Sequence, residues 1–145
     1  MDAVDIRDLD DRELTKHFSD KLSIKGFLIV NKFETNEEKW GEYFLKFKTI
    51  IVYSKYMTLT RFYLTILHEI AHFMCYELLD YEGHGKQFKE VLAILSNLYF
   101  DGEVPNKFKE LLKGDDLYYE FESTEERRKS QLAIWGAWEM AKAQC

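Results

Sequence analysis

The longest unbroken apolar pattern in the chain runs from Thr60 to Leu79 (TRFYLTILHEIAHFMCYELL), with neither proline nor glycine inside it. Apolar residues fall nearly all round its helical period, which predicts a mostly buried helix. Asp80-Tyr81-Glu82-Gly83 supplies the glycine that should end it. Lys86 to Phe100 predicts a second helix, whose Phe88, Val91, Leu92, Leu95 and Leu98 form one apolar stripe. Near the start, Asp8 to Lys21 reads as an amphipathic helix, with Leu9, Leu14, Phe18 and Leu22 at helical spacings.

The intervening stretch changes period. Ile24 to Phe33 is β-rich, Asn36-Glu37-Glu38-Lys39 reads as a turn, and Tyr43 to Tyr53 predicts one or two strands. Alternation there puts Tyr43, Leu45, Phe47, Thr49, Ile51 and Tyr53 on one face, with Lys46 and Lys48 on the other. Beyond the second helix, Asp101-Gly102 is a stop and Pro105 opens a short helix over Asn106 to Lys113. Gly114-Asp115-Asp116 is a break, and Leu117 to Phe121 predicts a short strand. Ser123-Thr124-Glu125-Glu126 fits a capping box for a last helix reaching about Ala143. Ile134, Trp135, Trp138 and Met140 on that helix exceed what one stripe needs, so it packs deeply or offers a partner surface, with core packing the default. No repeat, low-complexity tract or flexible linker interrupts the pattern. The expectation is one α+β domain over residues 1–145, a small mixed helix–sheet fold.

Composition narrows this picture. A hydrophobic content of 46% and an aromatic content of 16% over 145 residues suit a folded globule with a sizeable core. Only Cys75 and Cys145 are present, which excludes a disulfide framework and a four-cysteine zinc ribbon. No apolar run reaches membrane-span length, and the opening MDAVDIRDLDDRELTKHF is too acidic for a signal or transit peptide. The expected location is therefore cytoplasmic, or nucleoid or nuclear if DNA-associated, and not secreted. Charge is uneven beneath the net −6: residues 1–20 hold seven acids and three bases, residues 21–60 seven lysines and four glutamates, and residues 101–145 ten acids and seven bases. The lysine-rich stretch is read first as a solvated sheet face.

The chemistry sits in the buried helix. His68 and His72 stand at i and i+4, one above the other, so both imidazoles can grip one metal ion. Glu69 lies beside that position, placed to take a proton from a water bound there. His84 follows the helix stop at once, so three of the four histidines fall within 17 residues. Three protein ligands with a fourth position left for water make a catalytic rather than a structural zinc centre. Gly83 and Gly85 give the backbone freedom to swing His84 back toward the helix, and Phe88 one turn on anchors the next helix in the core. Cys75 shares the helix face of His68 and His72 but lies a further turn along, and is read as a core thiol rather than a ligand. His17, in the acidic opening segment, is read as a surface residue. An oxyanion would want a donor such as Tyr, and the nine tyrosines compete for that role.

Together, Ile50-Ile51-Val52-Tyr53-Ser54, His68 to His72, and Gly83-His84-Gly85-Lys86-Gln87-Phe88 resemble the SprT-like (Spartan-like) zinc metallopeptidases, over roughly residues 40–100. The resemblance implies a zincin-like fold with an HExxH active-site helix, Zn2+ held by His68, His72 and His84, and Glu69 as the catalytic base. It implies a metalloendopeptidase acting on protein substrates, including DNA-associated ones. The rival readings are a non-peptidase zinc hydrolase using the same water chemistry, and a catalytically silent interaction protein. An intact Glu69 argues against the silent reading, since a structural metal has no use for a base.

For DNA, the resemblance and the charge pull apart. Attraction to phosphates is local, so Lys21, Lys25, Lys32, Lys39, Lys46, Lys48 and Lys55 can still form one basic face. Tyr43 and Phe47 are expected in the core, on the opposite strand face from Lys46 and Lys48, and so are not base-stacking platforms. About three or four phosphate contacts imply weak, steeply salt-dependent binding, micromolar or weaker for this chain alone. A gel-shift titration at physiological salt checks this. Nanomolar affinity that disappears in a Lys46→Glu, Lys48→Glu variant is the contrary outcome.

Overall fold

The computed structural model describes residues 5–79 and 83–143. A single turn of 3-10 helix (Ile6–Asp8) leads into α1 (Asp11–Leu22). Asp10 caps α1, accepting from the Glu13 N–H at 2.7 Å while Glu13 reaches back to the Asp10 N–H. This capping box moves the start past the expected Asp8, because the first donors of a helix need such a partner. Leu14, Phe18 and Leu22 form its fully buried face.

The sheet has the order β1-β3-β2, from β1 (Leu28–Lys32), β2 (Gly41–Phe44) and β3 (Thr49–Tyr53). β1 runs parallel to β3, and β2 runs antiparallel to it. Ile29, Ile50 and Val52 point into the core with no exposure, so the buried face of β3 is the one opposite to that expected. The cause is local. A 3-10 turn at Leu45–Phe47 and a left-handed Lys48 (φ 48°) separate β2 from β3, and one irregular turn resets a period-2 pattern. Phe47 is consequently 71% exposed, beneath the Lys46 ammonium at 5.7 Å, and is not a core residue. The lysine-rich stretch is also partly neutralised, since Lys39, Lys48 and Lys21 pair with Glu42, Glu77 and Asp101.

β1 and β2 end the sheet differently. On the outer side of β1, the Ile29 and Asn31 N–H groups donate to Thr15 Oγ1 and Asp11 Oδ1, each at 2.9 Å, so α1 closes that edge. Among the described residues β2 has a strand neighbour on one side only. Tyr53 N donates to Trp40 O at 2.9 Å, and antiparallel alternation then turns the backbone groups of Gly41 and Tyr43 away from β3.

α2 (Leu59–Leu79) is the centre of the molecule, packed against α3 (Lys86–Tyr99), β2, β3, α4 (Asn106–Gly114) and α5 (Thr124–Ala143). Thr58 caps it through the Arg61 N–H at 3.1 Å. Phe62, Ile66, Leu67, Ile70, Phe73 and Met74 are all buried, and each such side chain contributes about 1.5–3 kcal/mol on leaving water. Pro105 stands at the N-cap position of α4 without a side-chain hydrogen bond, and Ser123 caps α5 by accepting from the Glu126 N–H at 3.1 Å. Glu126 accepts from Glu122 N, one residue before the expected box partner. Trp138 is buried edge-on against Phe73, and Trp135 Nε1 donates to Leu22 O at 3.1 Å, so α5 packs onto the core. The Met140 side chain and Cys145 lie outside the described residues. Leu117 to Phe121 forms no strand among the described residues: the Leu117 N–H donates back to Leu112 O of α4 at 2.8 Å, although the Leu117 side chain is buried. Among the described residues no helix is long and apolar enough to cross a membrane. The described part is therefore a small α+β fold of five α-helices and a three-stranded sheet.

β2 reaches α2 at Gly41. A Cβ there would sit 2.7 Å from Thr65 Cγ2 and 2.8 Å from the Ile51 carbonyl oxygen. Gly41→Ala should cost about 1–3 kcal/mol in chemical denaturation, the usual penalty of overpacking. Adding Thr65→Ala should recover only part of this, because the Ile51 carbonyl cannot move without the sheet.

Candidate metal centre

Along α2, positions 68, 72 and 76 rise on one face at successive turns, and that face looks into an open cleft of about 420 Å³ bounded by β2 and Gly83-His84. Gly83 has φ +116°, a conformation that side chains rarely adopt, and this bend returns His84 to the helix. Gly85, at φ −75°, is in an ordinary extended conformation and provides no such freedom. The two glycines expected to act alike therefore do different jobs: the second simply opens α3 as its N-cap.

The three imidazoles converge. His72 Nε2 lies 3.1 Å from His68 Nε2 and 2.9 Å from His84 Nε2. Ligand nitrogens about 2.0–2.1 Å from a tetrahedral zinc would lie about 3.3 Å apart, so the cluster has the dimensions of a metal site with small outward shifts. Hydrogen bonding is a poorer account of it: three mutually facing ring nitrogens can share a proton in pairs but leave one donor or acceptor opposed. His68, His72 and His84 are the group among the described residues that can hold a metal ion.

Phe88 supports this cluster from below. It is fully buried, with ring centroids 4.4 Å from His72, 4.9 Å from His84 and 5.0 Å from His68. The residue expected to anchor α3 thus also fixes all three rings, and its apolar edge turns their nitrogens toward the cleft. Burial holds the His68 imidazole down at about 3, with His72 and His84 adding repulsion, and burial holds His72 at about 4. Both rings are therefore neutral at neutral pH, with lone pairs available to a metal.

Glu69 is only 6% exposed and lines the same cleft, its Oε2 3.9 Å from His68 Nε2. Burial first, then Glu42, pushes its carboxyl up to about 8, against the pull of Lys39. A carboxyl poised near neutrality in a cleft has the character of a proton-transfer group, and a dication beside it would oppose the rise. Cys75 is buried and outside the cluster, its thiol pushed up to about 11 by burial, so it offers no thiolate. His17 is not a surface residue. It is half buried between α1 and α3, where its Nε2 meets the Tyr99 hydroxyl at 2.8 Å, and desolvation lowers its pKa.

Sequence reasoning did not single out Trp40, Gly41, Arg61 or Tyr76. Of these, Gly41 and Tyr76 line the metal cleft, while Trp40 and Arg61 line a neighbouring one. Tyr76 was legible as the next step of the i, i+4 series, and a large aromatic beside a glycine at a strand start marked Trp40-Gly41. Tyr43 also lines the cleft, but its hydroxyl is buried, and its ring is stacked 6.0 Å from Phe73.

Removing one imidazole should weaken zinc binding by orders of magnitude, so His84→Ala is expected to lose metal in elemental analysis after dialysis. Retention of one zinc per chain by that variant would remove His84 from the ligand set. Cys75→Ala should instead keep its metal and lose only about 1 kcal/mol or so of stability, as for a small core truncation.

The match to known proteins covers the elements that build this site. The model of the SprT-like family matches residues 12–110, a longer span than the 40–100 expected, taking in α1, the whole sheet and most of α4. Comparison with curated proteins and with solved structures finds no match. With well over half of its length matched, the chain belongs to the SprT-like family, a metallopeptidase-like family.

Proposed function

We propose that the protein is a zinc-dependent metalloendopeptidase of zincin-like architecture, in which His68, His72 and His84 hold the metal and Glu69 handles the proton. The observation that carries this reading is the convergence of three imidazoles beside a buried carboxyl, in a cleft walled by a strand edge that is unpaired among the described residues. A bound zinc supplies a Lewis acid, polarising a carbonyl and lowering the pKa of water to near 7.

The chain's own residues supply the rest. Glu69 accepts a proton from the attacking water and delivers it to the departing amine nitrogen, and a dication held beside it would oppose the rise that burial causes and keep the carboxylate available as a base. The outward backbone groups of Gly41 and Tyr43 suit an extended peptide, which would add to β2 as a further strand. Tyr76, one turn beyond His72 on the cleft face, is our candidate hydrogen-bond donor to the developing oxyanion. Peptide carbonyls and amide nitrogens match these features better than another hydrolysable bond does, because an open edge recognises a backbone. We take protein chains as substrate and DNA as at most a weak partner of this chain.

Glu69→Gln tests the assignment. The amide should fit the buried site, keep fold and metal, and reduce hydrolysis of an unfolded protein substrate by at least about 10²–10⁴-fold, as expected for loss of a general base. Cleavage at the wild-type rate would remove Glu69 from the mechanism. Equal inactivity of both proteins on unfolded substrates would favour an interaction protein.

A further inference from the structure

On the other side of Gly41 the surface opens into a second, smaller cleft that also touches His68 and Glu69. It measures about 210 Å³, below the roughly 300–1,000 Å³ of pockets that enclose a drug-sized ligand, and so has room for one side chain. Leu64 and Thr65 form its wall on α2. Thr65 directs its hydroxyl to the Arg61 carbonyl at 2.8 Å and presents its methyl group toward Gly41.

Trp40 forms the opposite wall, and it is held in place from two directions. Its carbonyl accepts from Tyr53 N at 2.9 Å, tying the backbone to the sheet. The Arg61 guanidinium lies 5.2 Å from the ring centroid, and Asp115 Oδ2 fixes that guanidinium at 2.6 Å. An indole gripped in this way by a cation has little freedom to turn away. It is nonetheless 52% exposed, a large apolar surface left uncovered beside the candidate catalytic residues.

We infer that this cleft takes the side chain of a substrate residue flanking the scissile bond, and that Trp40 makes it prefer a bulky apolar side chain, aromatic above all. The inference rests on the peptidase reading. A peptide lying along β2 passes Gly41, so a side chain leaving it there enters between Trp40 and Leu64. Aromatic rings gain from offset or edge-on contact with an indole beyond the area they bury. Arg61 and Asp115 already pair with each other, so together they offer a charged side chain of either sign no net attraction.

The test is cleavage-site profiling of an unfolded protein mixture by the zinc-loaded protein, followed by kcat/KM on matched peptides carrying Phe or Ala at the flanking position. The wild type should prefer Phe by about tenfold or more, in line with what a hydrophobic pocket can discriminate. Trp40→Ala should collapse that ratio, and Trp40→Phe should restore most of it. Cleavage without an aromatic or bulky apolar preference, or a preference untouched in folded Trp40→Ala, overturns the inference. A second measurement does not depend on turnover: the indole N–H resonance of Trp40 in the Glu69→Gln variant, assigned by its loss in Trp40→Phe. The Phe peptide should shift it and the Ala peptide should not. If no peptide is cleaved, the peptidase reading fails by itself, and this resonance still decides whether the cleft binds an aromatic side chain.

Discussion

Surrounding a helix on nearly every side leaves it one direction in which polar groups can be tolerated, and α2 has placed His68, Glu69 and His72 in that direction. Two imidazoles and a carboxyl on such a helix lose most of their hydration, which disfavours their charged forms. Burial of polar groups at this density needs compensation, and few partners other than a metal ion satisfy three ring nitrogens aimed at one point. The remaining architecture serves that arrangement. α3 brings Phe88 beneath the rings, the left-handed Gly83 returns His84, and Gly41 lets the sheet come within contact of Thr65.

The same packing explains why one sheet edge is closed and the other is not. α1 lies along β1 and answers its outward N–H groups with Thr15 and Asp11, removing a template for unwanted strand pairing. β2 lines the cleft instead, and its backbone groups at Gly41 and Tyr43 are turned away from β3. An unpaired edge is a hazard in most folds, and here it lies beside the buried carboxyl of Glu69.

Gly41 has two consequences. Its missing Cβ allows close approach of strand and helix, and that contact divides the surface beside Glu69 into a wide cleft toward His84 and a narrow one toward Trp40. The narrow cleft depends on residues from three separate segments: Trp40 just before β2, Arg61 in the first turns of α2, and Asp115 after α4. Charge pairing and cation–π contact link them, so a change at Asp115 reaches Trp40 through Arg61.

The helices and the clustering of the three histidines were legible in the sequence because both are written in short-range spacing. The i, i+4 histidines, the stripe from Phe88 to Leu98 and the glycine before His84 each depend on a few neighbouring residues, and helical period carries them into space unchanged. Strand faces were not legible. One irregular turn at Leu45–Phe47 inverted the alternation, so Ile50 and Val52 are buried and Phe47 faces water. The connection Leu117–Phe121 has strand composition but pairs with no strand among the described residues, and a strand exists only through its neighbour. His17 likewise appeared to be a surface residue until α3 brought Tyr99 against it. What only the tertiary structure decided are the contacts between distant segments: the closed edge of β1, the approach at Gly41, and the joining of Trp40, Arg61 and Asp115. Their residues lie from 14 to 75 positions apart along the chain, and no local period relates them.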